Sequence, residues 1–453
     1  MSDWFPDYLA TWYDQFASQA FDPSIAKLRN RRPRQVDIWE QRLIEDPHGT
    51  AADIDDSVRK SASLATLYVA LQAASSAIER VGFFCVRDAA PSWTSLRLHW
   101  RANGTLTSKA SPGIVIPRRE RPYPWMPRRS VRKLHDIGSH FRGFLRLPIG
   151  KAHQIDDVVI RVMPDLVGRP EVWRDSLTIA FAPLVDRMDE LKFEPIDGES
   201  GLASFRVALV NETGMLARAE VIVGDAARQG ADIIIFPELC FTTATQCALA
   251  QGLRALKGAP YLMLAGSSHS PSPDSPGNYN NRALLYGEDG QELLRHNKLF
   301  PYEISEGELQ RYGLRDALGC LDRVEDIVAL PRRLEILETA LGRLGVLICE
   351  DLSVVETFDS VVKQLEIDWL LVPVMDGAQT AERWTAKFAQ QYARSGCIVV
   401  VCTCGALVEA HRERELVNDR PDPGAFVGLM AHPANRTPTL VPGRHAEPST
   451  VKI

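Results

Sequence analysis

From residue 205 onward, short apolar runs alternate with amphipathic stretches of helical length. The runs are FRVALV, ADIIIFPE, YLMLAGSS, RLGVLICEDL, DWLLVPV and CIVVVCT, and they begin at residues 205, 231, 261, 343, 368 and 397. Apolar runs of this length are typical of strands buried on both faces of a sheet. Strands that alternate with helices predict an α/β fold for this part of the chain.

The first 200 residues lack this alternation and predict a separate N-terminal domain, mixed and mostly helical. Its clearest element is Ser61–Val86, which predicts an amphipathic helix running into a short strand. Segment 117–133 carries seven Arg or Lys and one Glu, and its prolines exclude a continuous helix. Such an arm fits either a nucleic-acid contact or a solvated loop packed on acidic neighbours. We therefore predict domains at 1–200 and 201–431, followed by a loose tail at 432–453.

Composition and charge argue against several classes of protein for this chain. A formal net charge of −6 argues against a general polyanion binder. The sequence has no apolar run long enough for a bilayer and no secretory signal, so we expect no membrane association. Cysteines within apolar runs predict reduced thiols and a cytoplasmic location. The sequence holds no phosphate-binding glycine motif, no HExxH and no paired Cys/His ligand set, so we expect no cofactor and no metal. The CxC of Cys402 and Cys404 fits a strand interior.

Three chemically useful side chains stand at the ends of apolar runs. Glu238 ends IIIFPE, Lys298 lies near the end of the hairpin-like stretch 281–300, and Cys349 ends VLIC. Strand ends lie at the rim of a sheet, where side chains reach a pocket. A carboxylate can take a thiol proton, and an ammonium can stabilise the oxyanion that forms when a thiolate attacks a carbonyl. Singly, each residue also fits a core thiol, a surface charge or a helix-capping carboxylate.

Five stretches in their order resemble the carbon–nitrogen hydrolase (nitrilase) superfamily over residues 205–410. They are FRVALV, GADIIIFPELCF, YNNRALLYGEDGQELLRHNKLFPYE, RLGVLICEDL and ERWTAKFAQQYARSGCIVVVCTCG. The resemblance implies a four-layer α-β-β-α sandwich. It also implies a Glu–Lys–Cys triad, with Cys349 as nucleophile, Glu238 as base and Lys298 as oxyanion stabiliser. The backbone N–H of Glu350 would be a second oxyanion donor.

The same resemblance implies a second glutamate after the lysine. KLFPYEISEGE points to Glu306, with Glu303 and Glu308 as rivals. At the loop after DWLLVPV the sequence departs from the family pattern, because Met375, Asp376 and Gly377 replace the usual Asn or Ser and small residues.

Cys-Glu-Asp at the nucleophile resembles glutamine-amide-hydrolysing domains and favours amide over nitrile substrates. The implied activity is hydrolysis of a non-peptide carbon–nitrogen bond in a small-molecule amide through a Cys349 thioester, by a homo-oligomer. Two alternatives stay open at this point. One is acyl transfer to an amine, and the other is a catalytically retired binding or sensing module whose N-terminal half contacts a protein or nucleic acid.

Overall fold

The computed structural model describes residues 5–17, 33–61, 63–81, 91–103, 114–117, 141, 144–147, 156–162, 176–197, 203–273, 275–328, 331–339, 341–358, 365–443 and 447–452. The chain divides into two compact units. The first contains Met1–His153, Ile160–Gly168 and Glu338–Ala340. The second contains Gln154–Val159, Arg169–Leu337 and Leu341–Ile453. Each unit is described by itself.

The first unit is mostly helical, as predicted. Its described helices are α1 (Phe5–Ala17), α2 (Arg34–Glu45), α3 (Pro47–Ser61), α4 (Leu64–Val81) and α5 (Pro91–Asn103). Strands β1 (Ile114–Pro117) and β2 (Phe144–Leu147) pair antiparallel. Helix α4 confirms the helix predicted from residue 61, but it is buried on nearly all sides, with Leu67, Tyr68, Val69, Leu71 and Ile78 among its buried residues. The strand predicted after it, and the basic segment from residue 118 to 133, lie outside the described residues.

The second unit is a mixed α/β fold built on two large sheets. The strands of the first sheet are β4 (Thr178–Phe181), β7 (Ile233–Ile235), β8 (Leu262–Pro271), β9 (Tyr279–Gly287), β10 (Glu292–Asn297) and β19 (Ser449–Lys452), in the order β10-β9-β8-β7-β4-β19. The strands of the second sheet are β3 (Asp157–Val162), β13 (Arg333–Thr339), β14 (Gly342–Val346), β15 (Trp369–Pro373), β16 (Ile398–Cys402), β17 (Phe426–Ala431) and β18 (Thr439–Pro442), in the order β18-β17-β16-β15-β14-β13-β3. At the centre of each sheet three strands run parallel: β4, β7 and β8 in the first, and β14, β15 and β16 in the second.

Helices cover the outer face of each large sheet. Helices α6 (Glu212–Arg228) and α7 (Thr243–Leu253) pack together, and α7 contacts β8. Helix α11 (Trp384–Arg394) contacts β16 and β17, and α12 (Gly405–Val417) contacts β17. Strand β15 contacts β8 between the sheets. This gives the layer order helix, sheet, sheet, helix that the sequence resemblance implies.

A third, four-stranded sheet has the order β11-β12-β6-β5. Its strands are β5 (Leu191–Asp197), β6 (Ala203–Leu209), β11 (Glu303–Ile304) and β12 (Arg323–Glu325). Three short helices complete the second unit: α8 (Glu306–Arg311), α9 (Arg315–Leu318) and α10 (Val355–Phe358). Strand β12 runs parallel to β6, which brings residues far apart in sequence to the same edge.

The structure differs from the predicted domain limits at two places. Strands β4 and β5 precede residue 201, yet both pair with strands of the second unit. The predicted loose tail contains β18 and β19, and β19 pairs antiparallel with β4. The pairings of β4 with β7 and of β19 with β4 join distant parts of the chain, so no local sequence pattern predicts them.

Candidate functional site

Three of the predicted site residues lie just past strand ends, as expected. Glu238 follows β7, Lys298 follows β10, and Cys349 begins a 3₁₀ turn after β14. All three are buried and line one cavity of about 550 Å³. The structure therefore brings together an acid, an ammonium and a thiol that stand far apart in the sequence.

The backbone takes a left-handed conformation at Cys349 and at the residue that follows Glu238. Cys349 has φ 47° and Leu239, next to Glu238, has φ 55°. Non-glycine residues rarely adopt positive φ, and such strain concentrates at functional sites. The Glu238 turn is further held by Ser267, whose hydroxyl oxygen accepts a hydrogen bond from the Leu239 N–H at 3.1 Å.

Lys298 stands between two carboxylates. Its Nζ lies 2.9 Å from Glu238 Oε1 and 2.6 Å from Glu325 Oε2. Asn281 bridges the same two carboxylates, because its Nδ2 donates to Glu238 Oε1 and to Glu325 Oε1, each at 2.8 Å. The result is a buried cluster of two acids and one cation, cross-linked by hydrogen bonds.

Sequence reasoning missed Glu325, the second acid of this cluster. It is 3% exposed and accepts hydrogen bonds from the Tyr302 N–H at 3.1 Å and from His269 Nε2 at 2.9 Å. The His269 tautomer is fixed because its Nδ1 accepts the Val207 N–H at 2.9 Å, so Nε2 carries the proton. Glu325 ends the three-residue strand β12, which is too short to give a sequence signal.

Burial and neighbouring charges separate the pKa values of the two acids. Burial raises the pKa of Glu238, Lys298 lowers it, and the Glu325 charge raises it again, so the net direction is upward. Burial also acts upward on Glu325, but Lys298 and His269 outweigh it and hold the pKa of that carboxyl below its usual range. Burial lowers the pKa of Lys298, but Glu238 and Glu325 outweigh it and raise it. The cluster thus contains a fixed anion, a fixed ammonium and a carboxylate able to take a proton.

The surroundings of the Cys349 thiol favour its protonated form. Burial is the main cause that raises its pKa, and the charge of the Glu238 carboxylate adds to this. Lys298 and the backbone N–H of Met375 act in the opposite direction and favour the thiolate. A thiol of this kind needs a base that removes its proton before it can attack.

Asp351 joins the loop of Lys298 to the turn of Cys349. Its Oδ1 accepts the N–H groups of Leu299 at 2.9 Å and Phe300 at 3.0 Å. Its Oδ2 accepts the Ile348 N–H at 3.1 Å. A single buried carboxylate thus fixes the distance between the ammonium and the sulfur. Glu350, next to Cys349 in the 3₁₀ turn, lines the cavity, and its role as an oxyanion donor stays a prediction.

The structure differs from the sequence prediction at the second glutamate. The Glu306 side chain is 55% exposed, pairs with Arg315 at 2.7 Å and is not among the described residues that line the cavity. Glu303 is also exposed. Glu308 does line the cavity, where its carboxylate accepts the Tyr302 hydroxyl at 2.8 Å. Only Glu325, of these four glutamates, is recorded in an ion pair with Lys298 within the described part of the chain.

Other predicted features can be placed on the structure. Met375 and Asp376, where the sequence departs from the family, line the cavity, and Asp376 pairs with Arg383. Cys402 is the last residue of β16, whereas Cys404, predicted in the same strand, lies past its end at the start of α12; both are buried. Within the described ranges, no cluster of His, Cys, Asp and Glu has the arrangement of a metal site. The helices in those ranges are too short or too polar to cross a bilayer.

Comparison with protein families found a match within the second unit. Residues 202–364 match the sequence model of the carbon-nitrogen hydrolase family, which spans Glu238, Lys298, Glu325 and Cys349. This part of the chain is similar to the carbon–nitrogen hydrolases. A comparison with curated proteins found no match.

Several solved structures of low sequence identity are similar to part of this chain. An amidase from Nesterenkonia sp. is 15% identical with a TM-score of 0.40, and the match covers 61% of this chain and 89% of that one. Nit3 of Saccharomyces cerevisiae, a member of branch 10 of the nitrilase superfamily, is 14% identical with a TM-score of 0.38, covering 62% and 90%. A glutamine-dependent NAD+ synthetase from Acinetobacter baumannii is 17% identical with a TM-score of 0.37, covering 61% and 45%.

Proposed function

We propose that the second unit is a thiol-dependent amidohydrolase that cleaves a non-peptide carbon–nitrogen bond, with amides as its substrates. The observation that carries this proposal is the meeting of Glu238, Lys298 and Cys349 in one cavity, with Lys298 Nζ 2.9 Å from Glu238 Oε1. A buried carboxylate whose pKa is raised, beside a buried protonated thiol, has the proton affinity that a general base needs.

The first half-reaction forms a thioester. Cys349 Sγ attacks the amide carbonyl carbon while Glu238 takes the thiol proton. The negative charge that develops on the carbonyl oxygen is stabilised by the Lys298 ammonium and the Glu350 backbone N–H. As the carbon–nitrogen bond breaks, Glu238 gives its proton to the leaving nitrogen, and ammonia or an amine departs.

The second half-reaction hydrolyses the thioester. Glu238, again ionised, takes a proton from water, and the hydroxide attacks the thioester carbonyl. Collapse of this intermediate releases the carboxylic acid and returns the proton to sulfur. Throughout, Glu325 stays ionised and holds Lys298 in place, so we assign to Glu325 the part of the second glutamate.

The test is steady-state turnover of a panel of simple amides by Cys349→Ala, with Cys320→Ala as the matched control. Cys320 is an exposed free cysteine outside the cavity lining. Loss of the nucleophile should lower kcat by roughly 10³-fold or more, whereas the control should match the wild type. Turnover retained in Cys349→Ala, or no turnover of any amide by the wild type, would overturn the proposal.

A further inference from the structure

The cavity above Cys349 is larger than a small aliphatic amide needs. Its volume of about 550 Å³ lies in the range of pockets that enclose ligands of drug size. An amide such as propanamide, with five non-hydrogen atoms, would leave most of that space to water. Size alone therefore favours an acyl group with a bulky side chain.

Six aromatic side chains contribute to the walls of the cavity. Phe193 and Phe205 come from the third sheet, and the other rings come from loops and from α11. The aromatic lining residues are Phe193, Phe205, Tyr302, Tyr312, Trp384 and Phe388. Trp384 and Phe388 stand edge to face on α11, with ring centroids 6.4 Å apart. Rings set in this way offer both faces and edges to another aromatic ring.

The charged side chains of the lining disfavour an anionic ligand. Among the described residues that line the cavity, six carboxylates face three cations. Each cation lies beside a carboxylate: Lys298 pairs with Glu238 and Glu325, Arg383 pairs with Asp376, and Arg311 lies close to Glu308. A negatively charged acyl group would enter a field of its own sign and would have to displace an existing pair.

We propose that this site takes a carboxamide whose acyl group carries an aryl or arylalkyl side chain without negative charge, with Trp384 and Phe388 as specificity-determining residues. This inference rests on the thiol chemistry proposed above. The reacting carbonyl lies at the Cys349 floor, and the ring of the substrate packs against the aromatic wall of α11.

The first part of the test is a matched series of three amides: 3-phenylpropanamide, propanamide, and 3-phenylpropanamide with a para carboxylate. Burial of a phenyl ring should make kcat/KM for 3-phenylpropanamide about 30-fold higher than for propanamide. The added carboxylate should lower kcat/KM at least about tenfold. Equal values for the first two amides, or preference for the carboxylate, would overturn the inference.

The second part uses Trp384→Ala and Phe388→Ala, with Trp384→Phe as the conservative variant. The alanine variants should raise KM for 3-phenylpropanamide about tenfold and by more than they raise KM for propanamide. The ratio of kcat/KM between the two amides therefore falls in the alanine variants, while Trp384→Phe keeps it. Iodoacetamide labelling of Cys349 in each variant checks that the floor of the site is intact. An unchanged ratio in labelled, folded alanine variants would overturn the assignment of these two residues.

The two proposals fail in different ways. If all three amides are turned over and Cys349→Ala abolishes each, but the aryl amide has no advantage, the substrate class is wrong and the thiol mechanism stands. If none of the amides is turned over by the wild type, both proposals are overturned.

Discussion

The floor of the cavity and helix α8, which we call its rim because Glu308 and Arg311 of this helix line the cavity, are built differently. On the floor, Glu238, Lys298, Glu325 and Cys349 are each at most 5% exposed, and hydrogen bonds join the first three. At the rim, Glu306 is exposed, forms one ion pair and stands on the short helix α8. The resemblance of KLFPYEISEGE implies a functional glutamate at the rim position, yet the structure places the carboxylate that touches Lys298 on the floor. The glutamate that the motif implies, Glu306, is therefore not the glutamate that lies next to Lys298 in the structure, Glu325.

The largest expected effect is the difference in kcat/KM between a variant of Glu325 on the floor and a variant of Glu306 on the rim. Glu325→Gln should lower kcat/KM at least about 100-fold, because it removes a buried charge that pairs with Lys298 and accepts the His269 hydrogen bond. Glu306→Gln should change kcat/KM less than about twofold, since exposed ion pairs contribute little. Steady-state kinetics on both variants measures the contrast. The reverse order of effects would return the second glutamate to Glu306.

A smaller effect is expected at Asp351, the carboxylate that joins the loop of Lys298 to the turn of Cys349. Asp351→Asn should lower kcat about tenfold or more, because an amide cannot accept the three backbone N–H groups equally well and Lys298 then shifts relative to Cys349. The matched rim variant is Asp322→Asn, whose carboxylate accepts the Glu306 N–H at 2.7 Å. We expect kcat of the rim variant to stay near that of the wild type. Equal losses in both would show that the floor has no special rigidity.

The pH dependence of activity offers a second comparison between Glu325 and Glu306. Because the pKa of Glu238 is raised and its ionised form is the base, activity should rise with pH through a value above the usual glutamate range. The negative charge of Glu325 contributes to that upward shift, so the residual activity of Glu325→Gln should have its acid limb at lower pH. Glu306→Gln should leave the limb in place. An acid limb that moves upward in Glu325→Gln would contradict the assigned charges.

The smallest expected effect concerns stability at the turn that carries Glu238. Gly266 has φ 49°, and a Cβ there would lie 2.1 Å from the Pro237 carbonyl oxygen. Gly266→Ala should therefore lower the free energy of unfolding by about 2 kcal/mol or more. Gly252 in α7 has open space around it, so Gly252→Ala should raise that free energy by about 0.5 kcal/mol. Chemical denaturation of both variants checks the pair.

Much of the second unit could be predicted from sequence because its signals are local. The apolar runs that became β7, β14, β15 and β16 are continuous, and three of the reactive residues end such runs or hairpins. Glu325 could not be found in this way. It ends the short strand β12, and its place in the site depends on pairing with β6, more than a hundred residues earlier. The pairing of β19 with β4 is equally remote, which is why the tail has no sequence signal.

The most direct test of the account traps the intermediate on its sulfur. The wild type is mixed with the p-nitrophenyl ester of 3-phenylpropanoic acid, quenched in acid and examined by intact-mass and peptide mass spectrometry. The account predicts one added acyl group on the peptide that contains Cys349, present also in Glu306→Gln and absent in Cys349→Ala. Acylation at another residue, or an adduct that persists in Cys349→Ala, would contradict the claim that this cavity performs thiol chemistry.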